Sequence, residues 1–252
     1  MSQPVIAALD YQPAGAPRID VADANAAAMP LSVRSLARGP ALMWGVLSLT
    51  AGSADASSFL GLGGLFNSHI TGNLMILAVR VVNGDTAPLA LLLSVPVFVV
   101  VVFLARVLAA RLQFAGVPPL LLLLVLQLAL LTGCLATSVS GGALVVAGML
   151  GVSAMAVQNA LVQSALVGAP PTAAMTANVT RFALALAELV LRRSPRQSEV
   201  ARRQVEHTWP AIVGFAAGGA LGAALEAQVG LWAFSLPVGT ALLALGLGLA
   251  AL

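Results

Sequence analysis

Charge is scarce in this chain. Charged residues make up 8% of its 252 positions, against roughly 25% in an ordinary soluble domain. Lysine is absent, every basic side chain being arginine, which reads as the composition bias of a GC-rich bacterial genome. Cysteine occurs once, at Cys134 inside an apolar segment; a single thiol excludes an intrachain disulfide and any multi-cysteine metal site and reads as a small buried hydrophobe. Catalytic signatures are missing too. No HExxH, GxSxG or GxxxxGK pattern is found, and the two histidines, His69 and His207, lie far apart in sequence. No catalytic residue, metal or cofactor is therefore expected, and an intramembrane enzyme is the least favoured class.

Hydrophobic residues fill the space left by charge, at 60% of the chain with a mean hydropathy of +0.99. Apolar segments near the ~20 residues needed to cross a bilayer follow one another after residue 40. They are long, continuous and rich in Leu and Ala, unlike the alternating strands of a membrane barrel. The expected fold class is an all-α, polytopic membrane helical bundle. The net charge of +3 is no sign of nucleic-acid binding, because the arginines stand mostly at segment ends. Residues 1–38 hold Asp10, Asp20, Asp23 and four prolines. They lack a basic start followed by an apolar core, so they read as a disordered cytoplasmic tail and not as a secretory signal.

Eight apolar segments are marked at about 41–61, 69–83, 87–112, 118–138, 142–167, 174–192, 209–228 and 231–252. The second is too short to cross, and the sixth carries Arg181 and Glu188. Each follows a stretch that resists helix, Gly61-Leu62-Gly63-Gly64 and Gly168-Ala169-Pro170-Pro171. Both are read as re-entrant: an extended stretch descends to mid-membrane and a helix returns. Non-helical backbone is tolerated there only against protein or a cavity. Arginine placement favours this topology. With six spans, Arg34, Arg38, Arg106, Arg111, Arg192, Arg193, Arg196, Arg202 and Arg203 all fall on the cytoplasmic side and only Arg80 on the other. Eight spans would put Arg106 and Arg111 outside. Both termini are cytoplasmic in either case, and Trp44, Trp209 and Trp232 stand near span ends as interfacial anchors.

The most telling motif is Thr71-Gly72-Asn73, because Thr176-Ala177-Asn178 repeats it 105 residues later. Within one membrane domain, 39–252, repeat one (41–138) and repeat two (142–252) then share the order span, re-entrant element, span, span. Three spans per half invert the second half against the first, the architecture of many secondary transporters. The two Thr-x-Asn helices would enter from opposite faces and meet near the middle.

Ala51-Gly52-Ser53-Ala54-Asp55, Gly63-Gly64-Leu65-Phe66 and His69-Ile70-Thr71-Gly72-Asn73-Leu74 carry a family likeness, continued by Gln158-Asn159 and Met175-Thr176-Ala177-Asn178-Val179-Thr180-Arg181. Over about residues 40–250 the chain resembles the YoaK-like family of bacterial membrane proteins, domain of unknown function 1275. The resemblance implies a multi-spanning inner-membrane protein and no defined activity.

The candidate substrate- or ion-binding residues are Asp55, His69, Thr71, Gly72, Asn73, Gln158, Asn159, Thr176, Asn178 and Arg181. An ionised Asp55 inside a span costs about 2.5–3.5 kcal/mol, so it is either a proton or cation site or the partner of Arg80 or Arg181. Thr71, Asn73, Thr176 and Asn178 open the second and sixth segments as caps, and a mid-membrane helix N-terminus suits an anionic or polar ligand. His69 could relay protons. Gln158, Asn159 and Gln163 place amides on the fifth segment, as helix glue or as substrate contacts. Arg181 and Glu188 read as a charge pair. A central polar site is expected from Asp55, Thr71, Asn73, Asn159, Thr176 and Asn178. Gly214, Gly218 and Gly222 form a packing ridge, used inside the bundle or between protomers of a homo-oligomer. Together these features predict a secondary transporter of a small polar or anionic solute, proton- or cation-coupled through Asp55; a membrane scaffold or assembly partner is the alternative.

Overall fold

The computed structural model describes residues 40–85, 88–166, 168–191 and 194–251. The expected tail at 1–38, and Arg192 and Arg193, lie outside them. The helices are α1 (Pro40–Gly61), α2 (Ile70–Val82), α3 (Leu89–Phe114), α4 (Pro119–Val139), α5 (Leu144–Ala165), α6 (Met175–Leu191), α7 (Pro195–Val229) and α8 (Ser235–Ala250), with a 3-10 turn at Gly230–Phe234 between the last two. No strand occurs among the described residues. Three helices, α3, α4 and α5, are individually long and apolar enough to cross a membrane, as is the 56-residue helical run Pro195–Ala250. At 1.5 Å per residue that run is about 84 Å long, more than twice the hydrocarbon thickness. It breaks at Gly230, whose φ of 58° is one that L side chains avoid.

One boundary departs from expectation. The hydropathy pattern marks the seventh segment at 209–228, yet α7 begins at Pro195. Local chemistry explains the extra turns. Ser194 Oγ accepts from the Gln197 N–H at 3.2 Å, Pro195 occupies the first helical turn, and Glu199 pairs with Arg202 and Arg203 at helical spacing. A hydropathy pattern sees only the membrane part of such a helix.

α1 is the central helix. Its buried polar residues Ser48, Thr50, Ser53, Asp55, Ser57 and Ser58 face protein on all sides, and its main neighbour is α7. The glycine ridge makes that contact. A Cβ at Gly214 or Gly218 would overlap the carbonyl oxygen of Gly45 or Leu49, and one at Gly222 would lie 2.8 Å from that of Ser53. The ridge therefore works inside the bundle, bringing two backbones together as small residues do between membrane helices.

Named contacts give the helix directions. α7 runs parallel to α1, since Gly45, Leu49 and Ser53 meet Gly214, Gly218 and Gly222 in order. α5 runs antiparallel: the Leu47 carbonyl accepts from Gln158 at 2.9 Å, whereas Leu62, just past the other end of α1, packs with Ala147. α4 opposes α5, with Gln127 on Gln158 and Gly133 beside Leu150. α3 follows α5, through Leu91 with Val152 and Gln113 with Ser164. α8 opposes α1, through Thr240 on Thr50 and Phe234 beside Leu62. Relative to α1, then, α4 and α7 are parallel and α3, α5 and α8 antiparallel. The chain reverses only once between α1 and α3, and once between α5 and α7.

The first two helices of each half superpose in sequence. Adding 105 carries α1 onto 145–166, one residue from α5, and carries Ile70 onto Met175, the first residue of α6. It also carries Gly63 (φ 74°) onto Gly168 (φ 89°), the left-handed turn that opens each connector.

Candidate functional site

The connector 62–69 is held against α1 by polar bonds. Asn67 Nδ2 donates to the Ala54 carbonyl at 3.2 Å, and the Ser58 hydroxyl donates to Asn67 Oδ1 at 3.2 Å. One turn into α2, Asn73 donates to the Phe66 carbonyl and accepts from the Phe66 N–H, both at 2.8 Å. These bonds satisfy non-helical backbone that water does not reach.

Asp55 sits at the centre of this arrangement and is 4% exposed. Its Oδ1 accepts from the Ser68 backbone N–H at 2.6 Å, and its Oδ2 from the Ser68 hydroxyl and from His69 Nδ1, each at 2.5 Å. The carboxylate thus stands beside the residues that lead into α2, bonded to the N–H of Ser68 two residues before the helix begins. An ionised carboxylate can only accept, so against a charged Asp55 the Nδ1 of His69 is the donor and carries a proton. His69 Nε2 makes no hydrogen bond among the described residues. It is the nitrogen left to titrate.

His69 also belongs to an aromatic row. Phe59 stacks on Phe66 at 4.7 Å, Phe66 lies 5.9 Å from His69, and His69 meets Phe215 of α7 edge-on at 5.2 Å. Between these groups is a cavity of about 370 Å³ whose floor is Gly52, Asp55 and Ala56 of α1 and whose walls are Phe66, His69 and Gly72 on one side and Phe215 and Gly219 on the other.

Several expectations need correction. Asp55 pairs with neither Arg80 nor Arg181. Arg80 reaches the Gly63 carbonyl at 3.4 Å, and Arg181 lines a separate cavity of about 580 Å³ between α6 and the first turns of α7. Glu188 lines that cavity as well, but no ion pair joins the two. Thr71 and Thr176 do not cap; both are exposed, and the N-cap of α2 is His69, without a side-chain cap bond. Asn73 and Asn178 are fully buried and hold connector backbone. Asn159 donates to the Met155 carbonyl of its own helix. Gln158 ties the Leu47 carbonyl, Thr172 and Gln127 together at 2.7–2.9 Å, as glue. Of the ten candidates, the structure brings Asp55, His69 and Gly72 to one cavity. The expected central site spanning both halves is not assembled.

Sequence reading missed Ser68, Phe66, Phe215 and Gln127. Phe66 and Ser68 lie within the Gly63–Asn73 motif, where alternate residues of an extended connector share a face. Nothing in the sequence pairs Phe215 with them, because the parallel packing of α1 on α7 is a property of the tertiary structure.

The second half supplies an internal comparison. Adding 105 turns Gly52, Asp55, Ala56, Phe66, Ser68, His69 and Gly72 into Val157, Ala160, Leu161, Pro171, Ala173, Ala174 and Ala177. Val157, Ala160 and Leu161 are buried core. The equivalent positions there hold no acid, imidazole or aromatic ring, although His207 Nε2 of α7 lies 2.7 Å from the Gly168 carbonyl.

An all-helical chain with four helical stretches long and apolar enough to cross a membrane is a helical membrane protein. The family described as a protein of unknown function, DUF1275, matches residues 43–247, and the chain belongs to that family. No curated protein and no solved structure matches it.

Proposed function

We propose that this protein is a secondary transporter whose coupling proton is carried by the Asp55–His69 pair. α1, α3, α4, α5, α7 and α8 are its six spans. α2, about 20 Å long at 1.5 Å per residue, and α6 are half-membrane helices entering from opposite faces. The halves form an inverted repeat and rock against each other. α7 crosses with about residues 209–229, and its charged first turns stand in the cytoplasm with both termini, on the inner side of a bacterial cytoplasmic membrane.

One observation carries the reading. A buried carboxylate paired with an imidazole is not needed to fold a connector of this kind, because the second half folds its own with Ala160, Ala173 and Ala174 at the equivalent positions. Intramembrane ionisable groups are costly, and one that the fold does not require points to use. The Ser68 hydroxyl beside the pair donates to Asp55 Oδ2 at 2.5 Å, so it is engaged in holding the carboxylate. A scaffold would have no use for a titratable nitrogen facing a cavity.

The test is proteoliposomes loaded with a pH-sensitive dye and challenged with a solute panel under an imposed pH gradient. Wild type is expected to move protons only with its solute. Asp55→Asn is expected to remain folded and lose that coupling. Coupled flux with unchanged pH dependence in Asp55→Asn overturns the role given to the pair.

A further inference from the structure

We infer that the cavity over Asp55 takes a small organic cation, which binds in exchange for the proton on His69 Nε2. The inference rests on the transporter reading and names its substrate class, in place of the polar or anionic solute expected from sequence.

Charge decides the sign of the ligand. The sequence points to an anionic or polar ligand at the N-terminus of α2, but a carboxylate already stands beside it, Asp55, bonded to the Ser68 N–H at 2.6 Å. A second anion would meet that carboxylate in a cleft of low dielectric. The titratable groups facing the cavity are Asp55 from α1 and His69 from the connector; α2 contributes Gly72, and α7 contributes Phe215 and Gly219. The nearest other charges are turned elsewhere, Arg80 to the Gly63 carbonyl and Glu226 beside Gly61. With His69 protonated the pair is neutral overall. When Nε2 loses its proton, one negative charge remains buried, and a monovalent cation restores the balance. One cation enters as one proton leaves.

Lining chemistry decides what sort of cation. Hard metal ions take six or more oxygens, whereas both Asp55 oxygens are already occupied by Ser68 and His69. The remaining walls are Phe66, Phe215, Ala56 and glycines. Aromatic faces attract cations within about 6 Å of the ring, and a cavity of about 370 Å³ admits an alkyl- or aryl-ammonium. Glycine at 52 and 72 lets the lining pack closely: a Cβ on Gly72 would stand 3.1 Å from the Phe66 ring, and one on Gly52 would overlap the Phe215 carbonyl of α7.

The test is calorimetric titration of the purified full-length protein with benzyltrimethylammonium, benzoate and benzyl alcohol, at about pH 8 and about pH 5.5, on either side of an imidazole's range. The quaternary cation is expected to bind in preference to the other two, more tightly at the higher pH, with about one proton released per cation at the lower pH, where His69 starts protonated, and less at the higher. Phe215→Ala is expected to weaken it about tenfold, and Asp55→Asn to abolish it. Should Asp55→Asn fail to fold, His69→Gln serves instead: it is expected to bind the cation with no proton release. Preference for benzoate, binding of none of the three, or cation binding indifferent to pH would overturn the inference. Cation binding without flux in liposomes would remove the transporter reading and leave the site. Proton-linked flux of an anion would do the reverse.

Discussion

Asn73 holds both backbone polar groups of Phe66, donating to its carbonyl and accepting from its N–H at 2.8 Å each. In the second half Asn178 stands in the same relation to Pro171, seven residues back, and donates to its carbonyl at 2.6 Å. Proline has no N–H to return. Asn178 Oδ1 is accordingly buried without a hydrogen bond. The two halves share a clamp that is complete in the first and half made in the second.

The clamps therefore differ in worth. Asn73→Ala removes two buried bonds and leaves an amide N–H and a carbonyl unpaired, a loss of about 2–4 kcal/mol. Asn178→Ala removes one bond and also removes an orphaned oxygen, so its cost is expected to be about half as large. Thermal unfolding of the two variants in the same detergent measures the difference. Equal losses would contradict the asymmetry.

The α1–α7 seam gives a second prediction. Gly218→Ala places a methyl group on the Leu49 carbonyl. Neither backbone can yield without parting the ridge, so a loss of several kcal/mol is expected, at or beyond the usual 1–3 for overpacking. Gly246→Ala is the control, because nothing lies within 4 Å of a Cβ there. A tolerated Gly218→Ala would mean that the two helices are not in backbone contact.

Topology is tested by single cysteines at Gly84, Gln113 and Ser198 in a Cys134→Ala background, labelled from outside with an impermeant maleimide. Six spans predict labelling at 84 alone. Eight spans predict labelling at 113 alone.

Much of the fold was legible because the bilayer constrains it. Segment lengths, the Gly63 and Gly168 turns and the short second helix follow from backbone polarity and hydrophobic thickness, which act locally along the chain. The glycine ridge was legible as packing, though not its partner. The site was half legible. Asp55 and His69 drew attention as a carboxylate in a span and an imidazole beside a motif, but the bond between them crosses 14 residues and depends on how the connector folds back. Spacing could not separate Asn73, which holds backbone, from a ligand residue, since both uses call for a buried amide. The early start of α7 was hidden because its capping and ion pairs sit in a sequence as polar as a loop.

The central claim is that His69 carries a transferable proton on Nε2 while Asp55 holds its Nδ1–H. The chain has two histidines, so nitrogen-labelled histidine with a His207→Gln variant isolates one imidazole by magnetic resonance in micelles. The account predicts that Nδ1 stays protonated throughout while Nε2 gains and loses its proton as the pH is varied, with the tautomer preference lost in Asp55→Asn. A neutral His69 that keeps its proton on Nε2 and not on Nδ1, or an Nε2 that does not titrate, would contradict it.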